Sequence, residues 1–410
     1  MKVIATEKLP IKMWLPWKKV VATDENQVCE FISDEIDIES GALAQAKNLA
    51  NLPFAFKHIA IMPDTHEGYG MPIGGVLATK GVVIPNAVGV DIGCGMCASK
   101  IINQDVSTYD EASLKFILGK IREAIPVGFN HHKERQSGVP IFQCQISYKD
   151  RCIIDEQWDA ASYQLGTLGS GNHFIEIQAD EEDNVWLMIH SGSRNLGKKV
   201  CDFYNDVAKR LNEKWFSCVD SKQDLAFLPI DILEGKCYMA EMQYCVEFAY
   251  ANRMHMMRAI QSIIRVFNGA EFGDSINIAH NYATWENHFG QNVVVHRKGA
   301  TRARKDEIGI IPGSMGTNSY IVKGLGNTES FTSCSHGAGR RMGRKEATKR
   351  LDLSVEIGNM DAKGIVHGLR NQSDLDEAPG AYKEIDVVME NQKDLVTPIV
   401  KLRPLAVIKG

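Results

Sequence analysis

The chain has 410 residues, of which 44% are hydrophobic and 24% are charged. These fractions are typical of globular proteins and exclude a disordered or fibrous chain. Lys and Arg number 46 and Asp and Glu 51, which gives a net charge of -5. Because no global positive charge attracts nucleic acid, a phosphate-bearing partner would need local basic patches.

The N-terminal residues are too charged for a signal peptide, since Lys2, Glu7, Lys8 and Lys12 interrupt every apolar stretch. The most hydrophobic region, residues 81–90, is shorter than the roughly 20 residues that a membrane span needs. Ten cysteines are scattered along the chain. Together these features predict reduced thiols, a cytoplasmic location and no membrane partner.

Hydrophobic periodicity predicts the main elements in chain order. The pattern indicates a strand at 58–62, a helix at 107–125, a strand at 185–189, a helix at 197–216, one or two helices at 231–267, and strands at 293–295 and 399–407. Glycine-rich loops separate these elements. We expect a mixed α/β (α+β) fold in a single domain over residues 1–410, with a helical segment at 217–275.

A metal site is the best joint interpretation of five residues near glycines or at the ends of apolar runs. Asp91 and Cys94 lie three residues apart in a glycine-rich loop, and His173, His190 and His280 are placed where loops meet strands. Each alone would more often be structural. Five donors exceed the ligands of one tetrahedral ion, so two ions that share the thiolate fit the number. Thiolate and imidazole favour zinc or iron, and the carboxylate allows manganese.

A second group of residues is typical of a phosphate site. His336 precedes glycines and a basic run in which Arg340 and Arg344 share one helical face. His336 could bind metal, relay protons or attack phosphorus, and a solvated basic helix is the plain alternative. A basic cluster at residues 296–305 favours the anion site.

Distinctive blocks occur in order across nearly the whole chain, at residues 62–70, 89–96, 171–176, 190–194, 280–282, 296–300, 312–316 and 335–340. With these blocks the sequence resembles the RtcB family of GTP-dependent, manganese-requiring RNA ligases. The resemblance implies a central β-sandwich flanked by helices. Asn195 departs from the family, which commonly has glycine there.

The resemblance also implies the roles of individual residues. Asp91, Cys94 and His173 would bind one Mn²⁺, and Cys94, His190 and His280 a second. His336 would attack the α-phosphorus of GTP and form a GMP–histidine intermediate, oriented by Asp64. The nucleotide would contact Asn172, Glu176, Asn281, Pro312, Gly313, Ser314, Met315, His336, Gly337, Ala338, Gly339, Tyr382 and Lys409. RNA phosphates would contact Arg194, Lys298, Arg340 and Arg344.

The reaction implied is the joining of RNA 3′-phosphate or 2′,3′-cyclic phosphate ends to 5′-hydroxyl ends, in RNA repair or tRNA splicing. Archease helps some members of the family. A metal-dependent phosphodiesterase or phosphatase that processes RNA ends without joining them is the alternative, because the same site could activate water. A non-catalytic RNA-binding protein is a third hypothesis, which the intact nucleophile and metal positions oppose.

Overall fold

The computed structural model describes residues 1–24, 27–142, 147–149 and 151–410, and for residues 17–24 and 27–35 the backbone only. Cys29 and Cys144, two of the ten cysteines, therefore lie outside the described side chains. The α-helices are α1 (Ser40–Ala50), α2 (Pro85–Val88), α3 (Glu111–Ala124), α4 (Ile153–Gln164), α5 (Asn195–Lys214), α6 (Leu233–Asn268), α7 (Arg344–Arg350), α8 (Leu353–Asp361) and α9 (Ile385–Glu390).

The strands alternate with these helices along the chain. The first ten are β1 (Lys2–Ile4), β2 (Ile11–Met13), β3 (Trp17–Asp24), β4 (Gln27–Ile36), β5 (Ala55–His66), β6 (Ile73–Thr79), β7 (Val82–Val83), β8 (Gly95–Asp105), β9 (Phe174–Ala179) and β10 (Asn184–Ser191). The others are β11 (Leu228–Pro229), β12 (Ile276–Ala279), β13 (Asn281–His288), β14 (Gln291–Lys298), β15 (Ala300–Arg302), β16 (Ile308–Ile311), β17 (Ser319–Gly324), β18 (Ser333–Ser335) and β19 (Val396–Lys409).

Two large sheets form the centre of the molecule. One has six strands in the order β1-β2-β5-β6-β14-β13, with only β2 and β5 parallel. The other has seven antiparallel strands in the order β12-β8-β10-β9-β19-β17-β16, and its edge strands β12 and β16 approach each other, so that the sheet curls towards a barrel. A shared core that includes Met62, Val295 and Val322 joins the two sheets. The mixed α/β fold expected from the sequence is confirmed.

Helices cover the outer faces of both sheets. α1 packs its buried Ala46 and Leu49 on the six-stranded sheet, and α3 and α6 pack on the seven-stranded sheet. α3 begins after Asp110, whose side chain accepts a hydrogen bond from the Ser113 N–H and caps the helix. The helices expected at 107–125 and 197–216 are present as α3 and α5, and the expected strands fall within β5, β10, β14 and β19.

The long apolar pattern at 231–267 forms one uninterrupted helix, α6. It ends at Gly269, which takes the left-handed conformation that terminates many helices. α6 is the main helical part of the segment expected at 217–275, and the residues before it include a short 3₁₀-helix at Ser221–Gln223 and β11. Among the described helices, none combines the length and the low polarity needed to cross a membrane.

Glu241 of α6 is a buried carboxylic acid in an apolar environment. It accepts hydrogen bonds from the Tyr204 hydroxyl, at 2.5 Å, and from the Ile154 N–H near the start of α4, at 3.2 Å. Burial raises the pKa of Glu241 to about 7, although these hydrogen bonds act in the opposite direction. The folded protein therefore binds a proton here more tightly than the unfolded chain does.

We expect Glu241→Gln to reduce the pH dependence of stability. Because the folded-state pKa is raised, wild-type protein loses free energy of unfolding as the pH rises from about 4.5 to about 7, by up to about 3 kcal/mol. The glutamine variant lacks this loss, so its stability relative to wild type should increase over that interval. Urea unfolding at pH 5 and pH 8 measures the difference, and an equal pH dependence in both proteins would contradict it.

Candidate metal centre and nucleotide cleft

Three side chains place metal-donor atoms together in the interior. Cys94 Sγ lies 3.2 Å from His190 Nε2 and 3.5 Å from His173 Nε2. All three side chains are buried, and their donor atoms lie within 4.8 Å of one another. Such a group of one thiol and two imidazoles is a common set of ligands for a transition-metal ion.

Asp91 and His280 extend this cluster on its two sides. Asp91 Oδ2 lies 3.1 Å from His173 Nε2, and His280 Nε2 lies 3.4 Å from His190 Nε2. The fold therefore brings together all five residues that the sequence predicts as ligands. Cys94 is in the middle, with Asp91 and His173 on one side and His190 and His280 on the other, as expected for a thiolate that two ions share.

The convergence follows from the strand order of the seven-stranded sheet. Cys94 precedes β8, His173 precedes β9, His190 lies near the end of β10, and His280 follows β12. These strands are neighbours, and antiparallel pairing brings the start of one beside the end of the next. All four side chains consequently lie at one end of the sheet.

Glycines on both sides of Cys94 allow the backbone to pack this closely. A Cβ at Gly95 would lie 1.9 Å from the carbonyl oxygen of Ile278 on β12. A Cβ at Gly93 would lie 2.8 Å from Val246 Cα of α6, and its φ of +76° also favours glycine. Any other residue at either position would displace the thiol.

Backbone carbonyls fix the orientation of two of the histidines. His173 Nδ1 donates to the Leu168 carbonyl at 3.0 Å, and His190 Nδ1 donates to the Asn172 carbonyl at 3.1 Å. A carbonyl oxygen only accepts, so the proton is on Nδ1 and the Nε2 lone pair faces Cys94. Hydrogen bonds of this kind orient histidine ligands in metal sites.

The electrostatics of the cluster also fit a cation. Burial lowers the pKa values of His190 and His280 well below the ordinary value, which keeps both imidazoles neutral. Burial raises the pKa of the Cys94 thiol, so a metal ion would have to displace its proton. Several electron-pair donors thus face one another, and a shared cation stabilises that arrangement.

His336 lies beside the cluster and is bound by Asp64. Asp64 Oδ2 accepts hydrogen bonds from the backbone N–H of His336 at 2.9 Å and from its Nδ1 at 2.6 Å. The rings of His336 and His280 are in edge contact, with centroids 4.9 Å apart. Because the fully buried Asp64 carboxylate accepts at Nδ1, the lone pair of a neutral His336 is on Nε2. The fold therefore brings together both residues predicted to be catalytic.

A cleft of about 950 Å³ adjoins His336. Most of the residues predicted to contact the nucleotide line it, namely Asn172, Pro312, Gly313, Ser314, Met315, His336, Gly337, Ala338, Gly339, Tyr382 and Lys409. Arg340 and Arg344, predicted to contact RNA phosphates, line it as well. This volume is in the range that nucleotide-sized ligands occupy in proteins.

Four predicted contact residues lie outside the lining of the cleft. Glu176 is buried and accepts from Gln178 Nε2 at 2.6 Å, and burial raises its pKa to about 7. Asn281 donates to the Asp91 carbonyl at 3.0 Å and accepts from the Gly299 N–H at 2.7 Å.

The two basic residues of this group bind protein groups. Arg194 donates to Thr167 Oγ1 and to the Gly128 carbonyl, each at 2.9 Å. Lys298 is buried and donates to the carbonyls of Tyr69 and Asn86, at 2.6 and 3.0 Å. In this structure Arg194 and Lys298 therefore hold loops in place.

Comparison with known proteins agrees with this arrangement. The family model described as tRNA-splicing ligase RtcB matches residues 45–149 and 143–410. The chain is 38% identical to RNA-splicing ligase RtcB of Escherichia coli strain K12, over 100% of this chain and 99% of the relative. It is 34% identical to tRNA-splicing ligase RtcB of Nanoarchaeum equitans, over 91% and 92% of the two chains.

The chain belongs to the RtcB family. The match covers the segments that form the candidate metal centre and the cleft, so the resemblance found from short motifs holds along the full length. It also includes the long helix α6, for which the motifs gave no role.

Glu377 is a site residue of this RtcB-family chain that the sequence did not reveal. It pairs with Arg344 Nε at 2.8 Å, Arg340 at 3.2 Å and Lys409 Nζ at 3.8 Å, and accepts from the Tyr382 hydroxyl. Burial opposes its ionisation, yet these cations hold the pKa of Glu377 below its ordinary value. Arg340, Arg344 and Lys409, which all line the cleft, therefore surround this one buried carboxylate. An acidic residue that follows a basic run would have been the only sequence signal.

The sequence also gave no sign of a role for Asn252 and Arg253, which lie in the middle of α6. Asn252 accepts from the N–H groups of Gly166 and Thr167 and donates to the Gly192 carbonyl. Arg253 donates to the carbonyls of Gly93 and Ser191, at 2.8 and 2.9 Å. Both residues are buried. Together they connect the backbone segments next to Cys94, His173 and His190.

We expect Asn252→Ala to weaken metal binding about 10- to 100-fold, because hydrogen bonds that orient ligands contribute this much to metal affinity. Titration of the metal-free protein with Co²⁺, followed by its visible absorption, measures the affinity without any need for activity.

Asn212→Ala is the matched control. Asn212 is also a buried asparagine that bridges backbone groups, but it bonds to Phe227, away from the metal centre. This variant should lose thermal stability and keep the wild-type Co²⁺ affinity. Unchanged Co²⁺ affinity in a folded Asn252→Ala protein would contradict the assigned role.

Proposed function

We propose that the protein is an RNA ligase that joins 3′-phosphate or 2′,3′-cyclic phosphate ends to 5′-hydroxyl ends, using GTP and two Mn²⁺ ions. The observation that carries this proposal is the position of His336. It lines a nucleotide-sized cleft, and its ring contacts the carboxylate of Asp64 and the His280 ring of the metal-donor cluster. The family membership and the names of the relatives support the class of reaction.

In the first step, His336 Nε2 attacks the α-phosphorus of GTP. A bond between nitrogen and phosphorus forms, and the bond from the α-phosphorus to the bridging oxygen breaks as pyrophosphate leaves with the electron pair. A neutral imidazole needs no base for this attack. Asp64 keeps the proton on Nδ1 and stabilises the positive charge that develops on the ring when Nε2 is guanylated.

Metal ions would be held by Asp91, Cys94 and His173 on one side and by Cys94, His190 and His280 on the other. When bound, Mn²⁺ supplies positive charge that neutralises phosphate oxygens during the transfer. The carboxylate of Asp91 suits manganese, and the family resemblance is the reason to prefer it over zinc.

Three cations that line the cleft orient the phosphate groups. Arg340, Arg344 and Lys409 converge on Glu377, and a phosphate can replace that carboxylate as their partner. Where the RNA ends in a 2′,3′-cyclic phosphate, water first attacks its phosphorus, and the bond to the 2′-oxygen breaks to leave a 3′-phosphate. An oxygen of the 3′-phosphate then attacks the phosphorus of GMP and releases His336. Finally, the 5′-hydroxyl attacks the RNA phosphorus, and GMP leaves.

The cysteines support a reducing compartment such as the cytoplasm. The buried Cys94, Cys97 and Cys334 are free thiols, and a functional Cys94 needs its sulfur unoxidised.

We expect His336→Ala to abolish covalent labelling by α-³²P GTP in the presence of Mn²⁺, because the attacking nitrogen is removed. Wild-type protein should retain label that is stable to denaturation and labile to acid, as expected of a bond between phosphorus and nitrogen. Gel autoradiography of the denatured protein measures the labelling.

His367→Ala is the control, since His367 also contacts a carboxylate, Asp361 at 3.1 Å, but lies outside the cleft. It should label like wild type. Label retained on the His336→Ala variant would contradict the proposal. Conversion of 3′-phosphate and 5′-hydroxyl oligonucleotides without a sealed product would instead favour a phosphodiesterase or phosphatase.

A further inference from the structure

Tyr69 presents a large aromatic ring at the cleft that contains His336. Its side chain is 80% exposed, although it belongs to the lining of that cleft. Among the ring contacts of the described residues, none involves Tyr69. An exposed aromatic surface beside a binding site is typical of a surface that a ligand covers.

The backbone that carries this ring is fixed on several sides. The Gly68 N–H donates to Gln45 Oε1 at 3.1 Å, and the Gly68 carbonyl accepts from Gln45 Nε2 at 2.5 Å. The Tyr69 carbonyl accepts from Lys298 Nζ at 2.6 Å and from the Met71 N–H at 2.8 Å. A ring on a fixed backbone loses little conformational entropy when a ligand binds it.

Gly70 makes this turn possible. Its φ of +69° favours glycine, and a Cβ there would lie 2.6 Å from the carbonyl oxygen of Asp224. The turn therefore packs against the segment before α6 while the Tyr69 ring points to solvent. This combination differs from that of an ordinary surface loop, where both backbone and side chain are exposed.

The Tyr69 turn and His336 share one scaffold. Lys298, which binds the Tyr69 carbonyl, precedes Gly299, and a Cβ at Gly299 would lie 3.1 Å from His336 Cε1. Asp64, which binds His336, lies on β5, the strand that leads into the turn. The ring and the atom that is proposed to donate GMP thus face the same cleft from connected segments of backbone.

The charges that line the cleft fall into two groups. Glu67, two residues before Tyr69, lines the cleft with Glu39, and the Glu67 N–H donates to Glu39 Oε2 at 2.8 Å. Arg340, Arg344 and Lys409 are instead grouped around Glu377. The two carboxylates disfavour a phosphate next to them and accommodate an uncharged group such as a nucleobase.

We propose that Tyr69 stacks against the 3′-terminal base of the RNA strand whose 3′-phosphate accepts GMP from His336. The inference rests on the proposed function and adds a subsite for one of its substrates. The 3′-terminal base is the base closest to that phosphate, so it must lie near His336 during the transfer. Stacking accepts any base, because every base has a flat face. Lys298 is accordingly a positioning residue that holds the platform.

In the test, wild-type protein and each variant are first guanylated with GTP and Mn²⁺ and then freed of unbound nucleotide. Transfer of GMP to an oligonucleotide with a 3′-phosphate is then followed in a single turnover at increasing RNA concentration. Tyr69→Ala should raise the half-saturating RNA concentration roughly 5- to 100-fold, and Tyr69→Phe, which keeps the stacking face, should remain close to wild type. Phe216→Ala, at another exposed aromatic residue, is the control for nonspecific loss.

A second substrate identifies the base that is contacted. An oligonucleotide whose 3′-terminal nucleotide lacks its base should bind wild type as weakly as the intact RNA binds Tyr69→Ala, and combining the two changes should cause no further loss. The GTP concentration needed for guanylation should stay the same in Tyr69→Ala.

Three results would overturn the proposal. The first is a half-saturating RNA concentration in Tyr69→Ala equal to that of wild type. The second is a further rise in that concentration when Tyr69→Ala is combined with the abasic substrate. The third is a raised GTP concentration for guanylation of Tyr69→Ala, which would place guanine on the ring. Failure of wild-type protein to take up GMP at all would instead reject the proposed function on which this subsite depends.

Discussion

The chemistry proposed for this protein depends on the contact between Asp64 and His336. The carboxylate accepts from the backbone N–H and from Nδ1 of the same residue, so it fixes both the position of His336 and the side of the ring that carries the proton. The lone pair is therefore on Nε2. Without that contact, His336 Nε2, the nucleophile of the proposed reaction, would have no fixed position beside the cleft and the metal-donor cluster.

The metal-donor cluster imposes the second constraint, because it gathers one thiol, one carboxylate and three imidazoles at a single place in the interior. The strand order of the seven-stranded sheet brings Cys94 and the histidines to one end, and backbone carbonyls turn the lone pairs inwards. Hydrogen bonds from Asn252 and Arg253 to nearby backbone carbonyls hold this arrangement in place. The fold thus prepares a site whose own electrostatics favour a metal ion.

The sequence predicted the parts of the site that carry distinctive residue types. The five candidate metal donors and His336 were predicted from their residue types and Asp64 from the family resemblance, and the structure brings them together. The three long amphipathic helices were also predicted, because their apolar positions repeat at helical spacing.

The missed features depend on contacts with the backbone or with residues distant in sequence. Asn252 and Arg253 bind carbonyls and N–H groups, which leave no pattern in the side chains around them. The role of Lys298 at RNA phosphates, implied by the family resemblance, stays a prediction. Its contacts with two backbone carbonyls depend on the packing of β14 against neighbouring loops, which the sequence does not show. The grouping of Glu377 with three cations likewise appears only in three dimensions.

The most direct measurement is the identity of the guanylated atom. NMR of the modified histidine peptide, isolated after reaction with GTP and Mn²⁺ and kept at alkaline pH, distinguishes phosphorus bonded to Nε2 from phosphorus bonded to Nδ1. The account predicts a bond to Nε2 of His336, because Asp64 occupies Nδ1. Phosphorus on Nδ1, or on any other residue, would contradict it.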